Sequence, residues 1–344
     1  MDGIEHRIRA VALLAGIGLL AGCRNGTVQP VGKMTGAHTR LVWVQDMGDG
    51  TDTFCEGANL RLMAYDSLSR KRPRVLRPGP ASYHRPLLSP DGNRVVYTDF
   101  LAQQIFVVDW DGEGLRGLGA GTATDVWRDP DTGRVWVYAV HEIIPGRNRW
   151  ARIVRFPLDE PAARETVWDQ TGVTADNLQV SADGTRIGGL YPWPHGGTLL
   201  VPEQRWEKLA RGCWTSLAPD NSYLFWVFDR AHRNVYVSSH TGVAQRGIAI
   251  NGAPGVDGWE VYHPRWSNHP RYFVLTGPYV EGGGSNRIRA GGRGVEVYVG
   301  RFTAAMDGVD AWARITDNES ADFYPDLWIQ DGDTVALDLA AVRP

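Results

Sequence analysis

Leu87-Leu88-Ser89-Pro90-Asp91-Gly92-Asn93-Arg94-Val95-Val96-Tyr97 is the stretch that decides the fold. Leu87 and Leu88 are apolar. Pro90 presets φ for a turn, and Asp91-Gly92 supplies a side-chain cap and a position free to take φ > 0. Arg94 to Tyr97 is then β-branched and aromatic, as a strand requires. Strand, tight polar turn, strand is a β-hairpin. Weaker copies follow: Asp129-Pro130-Asp131-Thr132-Gly133, Ser181-Ala182-Asp183-Gly184, Ala218-Pro219-Asp220-Asn221, Ser267-Asn268-His269-Pro270 and Gln330-Asp331-Gly332-Asp333, each before an apolar strand. Turn positions 91, 131, 183, 220, 269 and 331 lie 40, 52, 37, 49 and 62 residues apart. A period of roughly 40–50 residues with several strands per repeat is the signature of a β-propeller, with loops of unequal length on a constant scaffold.

Composition agrees with an all-β chain. The 344 residues are 43% hydrophobic, enough for a large core, and include 41 glycines, 20 prolines and 14 tryptophans. Glycine and proline suit many turns, and tryptophan suits broad sheet-on-sheet packing. The net charge of −3 offers no basic stripe, so nucleic acid is not an expected partner.

The repeats divide the domain, residues 38–344, into six blades, with seven as the alternative. Blade one begins at Thr39 to Val44 and runs to about residue 77. Blades two to six span about 83–120, 124–170, 176–210, 213–251 and 262–316. The remainder, Asp322 to Leu339, cannot make a blade alone. A propeller left open would expose two sheet edges. The C-terminal piece is therefore expected to complete blade one, giving a closing blade shared by N- and C-terminal strands. Which strand Thr334 to Leu339 becomes is left open, because Leu41 to Val44 competes for the same slot.

The Ser-Pro-Asp-Gly turn, with strands that end in aspartate (Leu62 to Asp66, Ile105 to Asp109), resembles the repeats of TolB-like β-propellers over about residues 39–340. Only the copy at 89–92 matches in full. The resemblance implies a propeller fold and partners that are proteins, peptides or sugars. It does not by itself specify a function.

The N-terminus reads as an address. His6, Arg7 and Arg9 precede the apolar run Val11 to Gly22, which is too short to span a bilayer. It ends in Leu20-Ala21-Gly22-Cys23, which resembles a bacterial lipobox. The resemblance implies a signal peptide at 1–22, lipidation of Cys23, and a lipid-anchored tether at 23–37. Arg24, where an aspartate is absent, implies outer-membrane placement, facing the periplasm or the surface. Cys55 and Cys213 remain as a candidate disulfide in an oxidising compartment or as two buried free thiols.

If strands alternate up and down, the residues entering each innermost strand ring one mouth of the central channel. These are His84 and Arg85, Thr124 and Asp125, Asp176 and Asn177, Cys213 and Trp214, Tyr262 and His263, and Phe323 and Tyr324. Convergent polar and aromatic groups at a concave mouth make the default binding site, here His84, Arg85, Asp125, Asp176, Asn177, Trp214, Tyr262, His263 and Tyr324. A second reading is that they satisfy the inter-blade backbone and one another. The loops at 46–57, 141–150, 191–197 and 277–294 share that face, and Arg287, Arg289 and Arg293 are expected beside Asp46, Asp49 and Asp52. Those three aspartates alternate on a glycine-containing loop and are weak candidates for Ca²⁺, or cap their own turns.

Gly112-Glu113-Gly114-Leu115-Arg116-Gly117 matches a dinucleotide fingerprint but is not followed by a helix. His141-Glu142 starts like a zincin motif without its second histidine. Three functions stay open. The first is a non-catalytic module of the envelope, anchored in the membrane, that binds a protein, peptide or glycan at the channel mouth. The second is a carbohydrate-active enzyme of the polysaccharide-lyase kind, using His84, His263 and Arg85 with a metal. The third is a structural scaffold.

Overall fold

A computed structural model describes residues 27–69, 73–145, 149–239, 245–284 and 286–330. It is all-β: six antiparallel sheets of four strands each stand in a ring, and the sheet of blade six carries a fifth, parallel strand on its outer edge. The innermost strands, in blades one to six, are Ala321–Ile329, His84–Leu88, Thr122–Arg128, Thr174–Val180, Cys213–Leu217 and Glu260–Trp266. Blades two to six then run outward in chain order, and in blade one Ala321–Ile329 is followed outward by Thr39–Asp46, Leu60–Asp66 and Arg74–Ala81, so successive connections fall on alternate faces. The Ser-Pro-Asp-Gly turns mark what we call the turn face. The longer loops between second and third strands, with the blade-to-blade links, mark the loop face.

Blade one closes the ring as the sequence requires. Ala321–Ile329 is its inner strand, and it pairs with Thr39–Asp46 from Thr39 opposite Ile329 to Asp46 opposite Ala321. Leu41 to Val44 is therefore second, not innermost. Trp43 Nε1 and Gln45 Nε2 both donate to Asp322 Oδ1, at 2.7 and 2.8 Å, fixing the two ends of the chain together. On the turn face Asn268 of blade six bonds both backbone groups of Ile329, each at 2.8 Å. Thr334 to Leu339 lies outside the described residues.

The segment expected as a tether is in part built into the fold. Thr27–Val28 pairs in parallel with Ala311 and Trp312 on the outer edge of blade six. Helix Val31–Thr35 follows, and it buries Val31 and Met34 against Leu41, Trp43, Tyr272 and Val274. An exposed strand edge is a template for aggregation, and the N-terminal strand covers this one.

The hairpin motif has a physical partner that explains its form. In blade two, Ser89 Oγ donates to Asp91 Oδ1 (2.5 Å) and accepts from Arg94 N (2.9 Å). Blade four repeats this with Ser181, Asp183 and Arg186. Each of these turns is gripped by an Asp-x-Trp sequence from the preceding blade. Asp326 Oδ2 accepts from Leu88 N at 2.7 Å, and Trp328 Nε1 donates to the Pro90 carbonyl at 3.0 Å. Asp125 Oδ2 accepts from Val180 N at 2.8 Å, and Trp127 Nε1 donates to the Ala182 carbonyl at 3.2 Å. The turn glycine is where the indole lands. A Cβ on Gly92, at φ +71°, would stand 2.6 Å from the Trp328 ring, and one on Gly184 would stand 2.6 Å from Trp127. Gly92→Ala is therefore expected to cost about 2–3 kcal/mol, from a clash added to left-handed strain. Gly133 has the same φ with nothing within 4 Å. Gly133→Ala should lose only about 1 kcal/mol. Denaturant midpoints of the two variants check the difference.

Elsewhere the blades meet through flat aromatic stacks. Trp226 of blade five lies 4.0 Å from Trp266 of blade six, and this stack is backed within blade six by Phe273, 4.4 Å from Phe302. The two tryptophans and Phe273 are fully buried.

Candidate functional site

Every inner strand carries a bulge at the positions expected to ring the channel. The register shifts between His84 and Leu87, at Thr124, and between Thr174 and Gln179, Cys213 and Ser216, Tyr262 and Arg265, and around Tyr324. In five of the six blades the bulge residue sits in the left-handed region: Arg85, Asn177, Trp214, His263 and Tyr324, at φ 46–55°. A bulge re-aims side chains that a regular strand would send to opposite faces. Each strand can thus present two successive residues near the axis.

The ring does not enclose an open mouth. Arg85 reaches across it. Its Nη1 donates to the Ala175 carbonyl (2.5 Å), Nη2 to Asp176 Oδ1 (2.6 Å) and Nε to His84 Nε2 (2.8 Å). The guanidinium stacks 5.3 Å from the Trp214 ring and 5.0 Å from Tyr324. His263 lies 4.0 Å from Tyr324, and Tyr262 packs on both His263 and Trp214. The loop at 46–57 leans over this layer. Phe54 gives its carbonyl to His84 Nδ1 (3.1 Å) and its ring edge to Tyr262. Beneath the ring a cavity of about 20 Å³ remains, room for roughly one water. His84 and His263 are buried, so burial, reinforced by Arg85, holds both well below the usual imidazole range. Both rings are shielded from solvent, which leaves them neutral.

Asp125 and Asn177 belong to a second layer, nearer the turn face, whose centre the sequence reading missed. Arg265 spans the channel there. Its Nε donates to Asp326 Oδ1 (2.8 Å), Nη1 to Asn177 Oδ1 (2.7 Å) and Nη2 to Asp125 Oδ1 (2.9 Å). Burial pushes both carboxyls up, and Arg265 pulls against it. A signal was present: Arg265 and Asp326 stand two residues beyond His263 and Tyr324, and Asp-x-Trp occurs at both 125–127 and 326–328. Two arginine layers therefore plug the channel. On the turn face a concavity of about 220 Å³ opens above the Arg265 layer, walled by Trp127, Trp266 and Trp328.

The other candidates are placed as follows. Cys55 and Cys213 are both free thiols here. Cys55 is fully buried, and Cys213 Sγ accepts from Trp193 Nε1 at 3.4 Å. Asp46, Asp49 and Asp52 each cap backbone N–H groups of their own loop. No cluster of three metal-ligating side chains occurs among the described residues. The arginine-rich loop does lie beside them, joined through bonds that backbone carbonyls accept: Gly292 N donates to the Gly50 carbonyl (2.8 Å), Thr53 Oγ1 to that of Ile288 (2.7 Å) and Arg293 Nη2 to that of Gly48 (3.5 Å). Glu142 pairs with Arg152 at the surface (2.7 Å), and Arg116–Ala120 after the glycine triplet is a strand. Cys23 lies outside the described residues. No helix among the described residues is long and apolar enough to cross a membrane.

What distinguishes the loop face is its rim. Ten large apolar side chains are exposed among the described residues, and six of them are on this face: Met47, Leu101, Ile143, Trp193, Trp259 and Val280. They come from five different blade loops and one blade-to-blade link. Trp193 is the most open of the tryptophans, at 58%. Exposed large apolar side chains are thus concentrated on one face of a disc whose axis is plugged.

These features define a closed six-bladed β-propeller with a plugged axis. Among solved structures it is similar to TolB from Acinetobacter baumannii (TM-score 0.57, 12% identity, 86% of this chain and 69% of that one). It is also similar to a TolB-type protein from Agrobacterium tumefaciens (TM-score 0.53, 13% identity, 86% of this chain and 95% of that one). At these identities the likeness is one of fold. No family model matches the sequence, and no curated protein matches it.

Proposed function

We propose that this chain is a protein-interaction module of the bacterial envelope, anchored through Cys23, that docks a folded partner on its loop face. The observation that carries this reading is the asymmetry of exposed apolar surface, six side chains around one face of a disc whose central mouth is filled. The TolB-like fold supports the interaction role, and the lipobox-like Leu20-Ala21-Gly22-Cys23 supports the address. The ring residues His84, Arg85, Trp214, Tyr262, His263 and Tyr324 then act by holding the loops, not by touching a ligand. A second reading has a specific observation of its own: the turn-face concavity is large enough for a peptide side chain or a small glycan.

A double variant, Trp193→Glu and Val280→Glu, is expected to unfold at the wild-type midpoint, because both side chains are exposed. It should lose at least tenfold in affinity for whatever protein the wild type retains from an envelope extract. That corresponds to about 1.4 kcal/mol or more, modest for two rim apolar groups replaced by charge. Retention of the same partner at the same salt by the double variant would reject the loop face.

A further inference from the structure

The N-terminal segment fixes how the propeller stands on the membrane, an inference that rests on the lipid anchor proposed above. From Thr27 onward the chain is locked to the body. Thr27 and Val28 pair with Ala311 and Trp312, and Gln29 N donates to the Trp312 carbonyl at 3.1 Å. Helix Val31–Thr35 is held by its buried Val31 and Met34 and by Tyr272, whose hydroxyl donates to the Met34 carbonyl at 3.1 Å. Cys23 is therefore only four residues from a fixed point. Four extended residues reach at most about 14 Å. The direction is fixed as well. Val309–Arg314 runs from the turn face to the loop face, and Thr27–Val28 runs parallel to it. Of the two residues Thr27 is therefore the nearer to the turn face.

We infer that an acylated Cys23 holds the turn-face corner of blades six and one against the bilayer and directs the loop face away from it. Two features of that corner suit a lipid surface. Leu68, on the turn between the third and fourth strands of blade one, is the most exposed large apolar side chain among the described residues, at 71%. Lys33 is exposed on the helix beside it. The two elements touch, since a Cβ on Gly32 would lie 3.0 Å from Ser67 Cβ. Apolar insertion and attraction of a cation to anionic headgroups both add to acyl anchoring. The same geometry leaves the rim of Met47, Trp193 and Val280 on the aqueous side, open to a partner.

The test uses full-length lipidated protein in vesicles of phosphatidylethanolamine and phosphatidylglycerol, in a Cys213→Ser background. An environment-sensitive fluorophore is placed through Leu68→Cys in one sample and Val280→Cys in another. Quenching by nitroxide-labelled lipid is expected to be several-fold stronger at position 68 than at 280. A long Gly/Ser spacer inserted between Gly26 and Thr27 is expected to abolish the contrast. Equal quenching at both positions overturns the orientation while leaving the anchor intact, and a contrast that survives the spacer overturns the short link to Cys23 as what holds that corner down. Failure of Cys23 to take up a clickable fatty acid overturns the anchor itself, and the orientation with it.

Discussion

Replacing Arg265 with Met is expected to destabilise the protein by about 3–5 kcal/mol at neutral pH, the usual consequence of stranding buried charge. Asp125 and Asp326 would then face each other across the channel with no cation between them. Both are buried or nearly so, and both also hold a neighbouring blade by accepting its backbone N–H. The loss should shrink as pH falls. Without Arg265 the two folded-state carboxyl pKa values rise further, so the native state takes up protons at a pH where the unfolded chain does not. Stability is then regained as pH drops through that range. A triple variant, Arg265→Met with Asp125→Asn and Asp326→Asn, should recover most of the loss, since the charges go together. Chemical denaturation of the three proteins at several pH values reads all of this. A single variant as stable as wild type would show that the layer is not what holds the inner strands.

The second large effect is acid sensitivity. His84 and His263 are neutral in the fold, held low by burial and then by Arg85, with Tyr324, Tyr262 and Thr276 the other polar neighbours. In the unfolded chain they titrate near 6.5. The sign follows directly. Above that value neither state binds protons at these sites, and their neutral packing costs nothing. Below it the unfolded state binds two that the native state refuses. Stability is therefore lost as pH falls from about 6.5, at roughly 3 kcal/mol per pH unit for the pair once both are charged in the unfolded chain. His232 adds in the same direction, since burial holds it low against Glu260. Asp125 and Asp326, pushed up by burial, oppose the trend nearer the carboxylate range. The slope between pH 6.5 and 5 should drop by about two protons in a His84→Gln, His263→Gln variant. An unchanged slope would show that the ring is more solvated than its packing indicates.

The sequence made the scaffold legible because turn chemistry is local. Ser89-Pro90-Asp91-Gly92 forms its turn from its own side chains, so the motif survives being read without a structure. Closure was legible for another reason: an unpaired sheet edge is costly wherever it lies, and Asp322 onward had nowhere else to go. The ring was legible by position, since counting back from each turn reaches the bulge residues. Its role was not. Whether His84 and Arg85 face water or plug a channel depends on six strands converging and on Phe54 arriving from a loop some thirty residues away. Arg265 was missed because its partners, Asp125, Asn177 and Asp326, come from three other blades. The helix at Val31–Thr35 was missed because five residues carry too little periodicity, and tertiary burial of Val31 and Met34 decides the matter.

The most direct test of the interaction face is site-specific photo-crosslinking in living cells, with the probe at Trp193 on the loop face in one strain and at Asp91 on the turn face in another. The expected result is a discrete crosslinked protein from position 193, lost in the Val280→Glu background, and none from position 91. Crosslinks from position 91 alone would place the partner over the tryptophan-walled concavity and contradict the loop-face account.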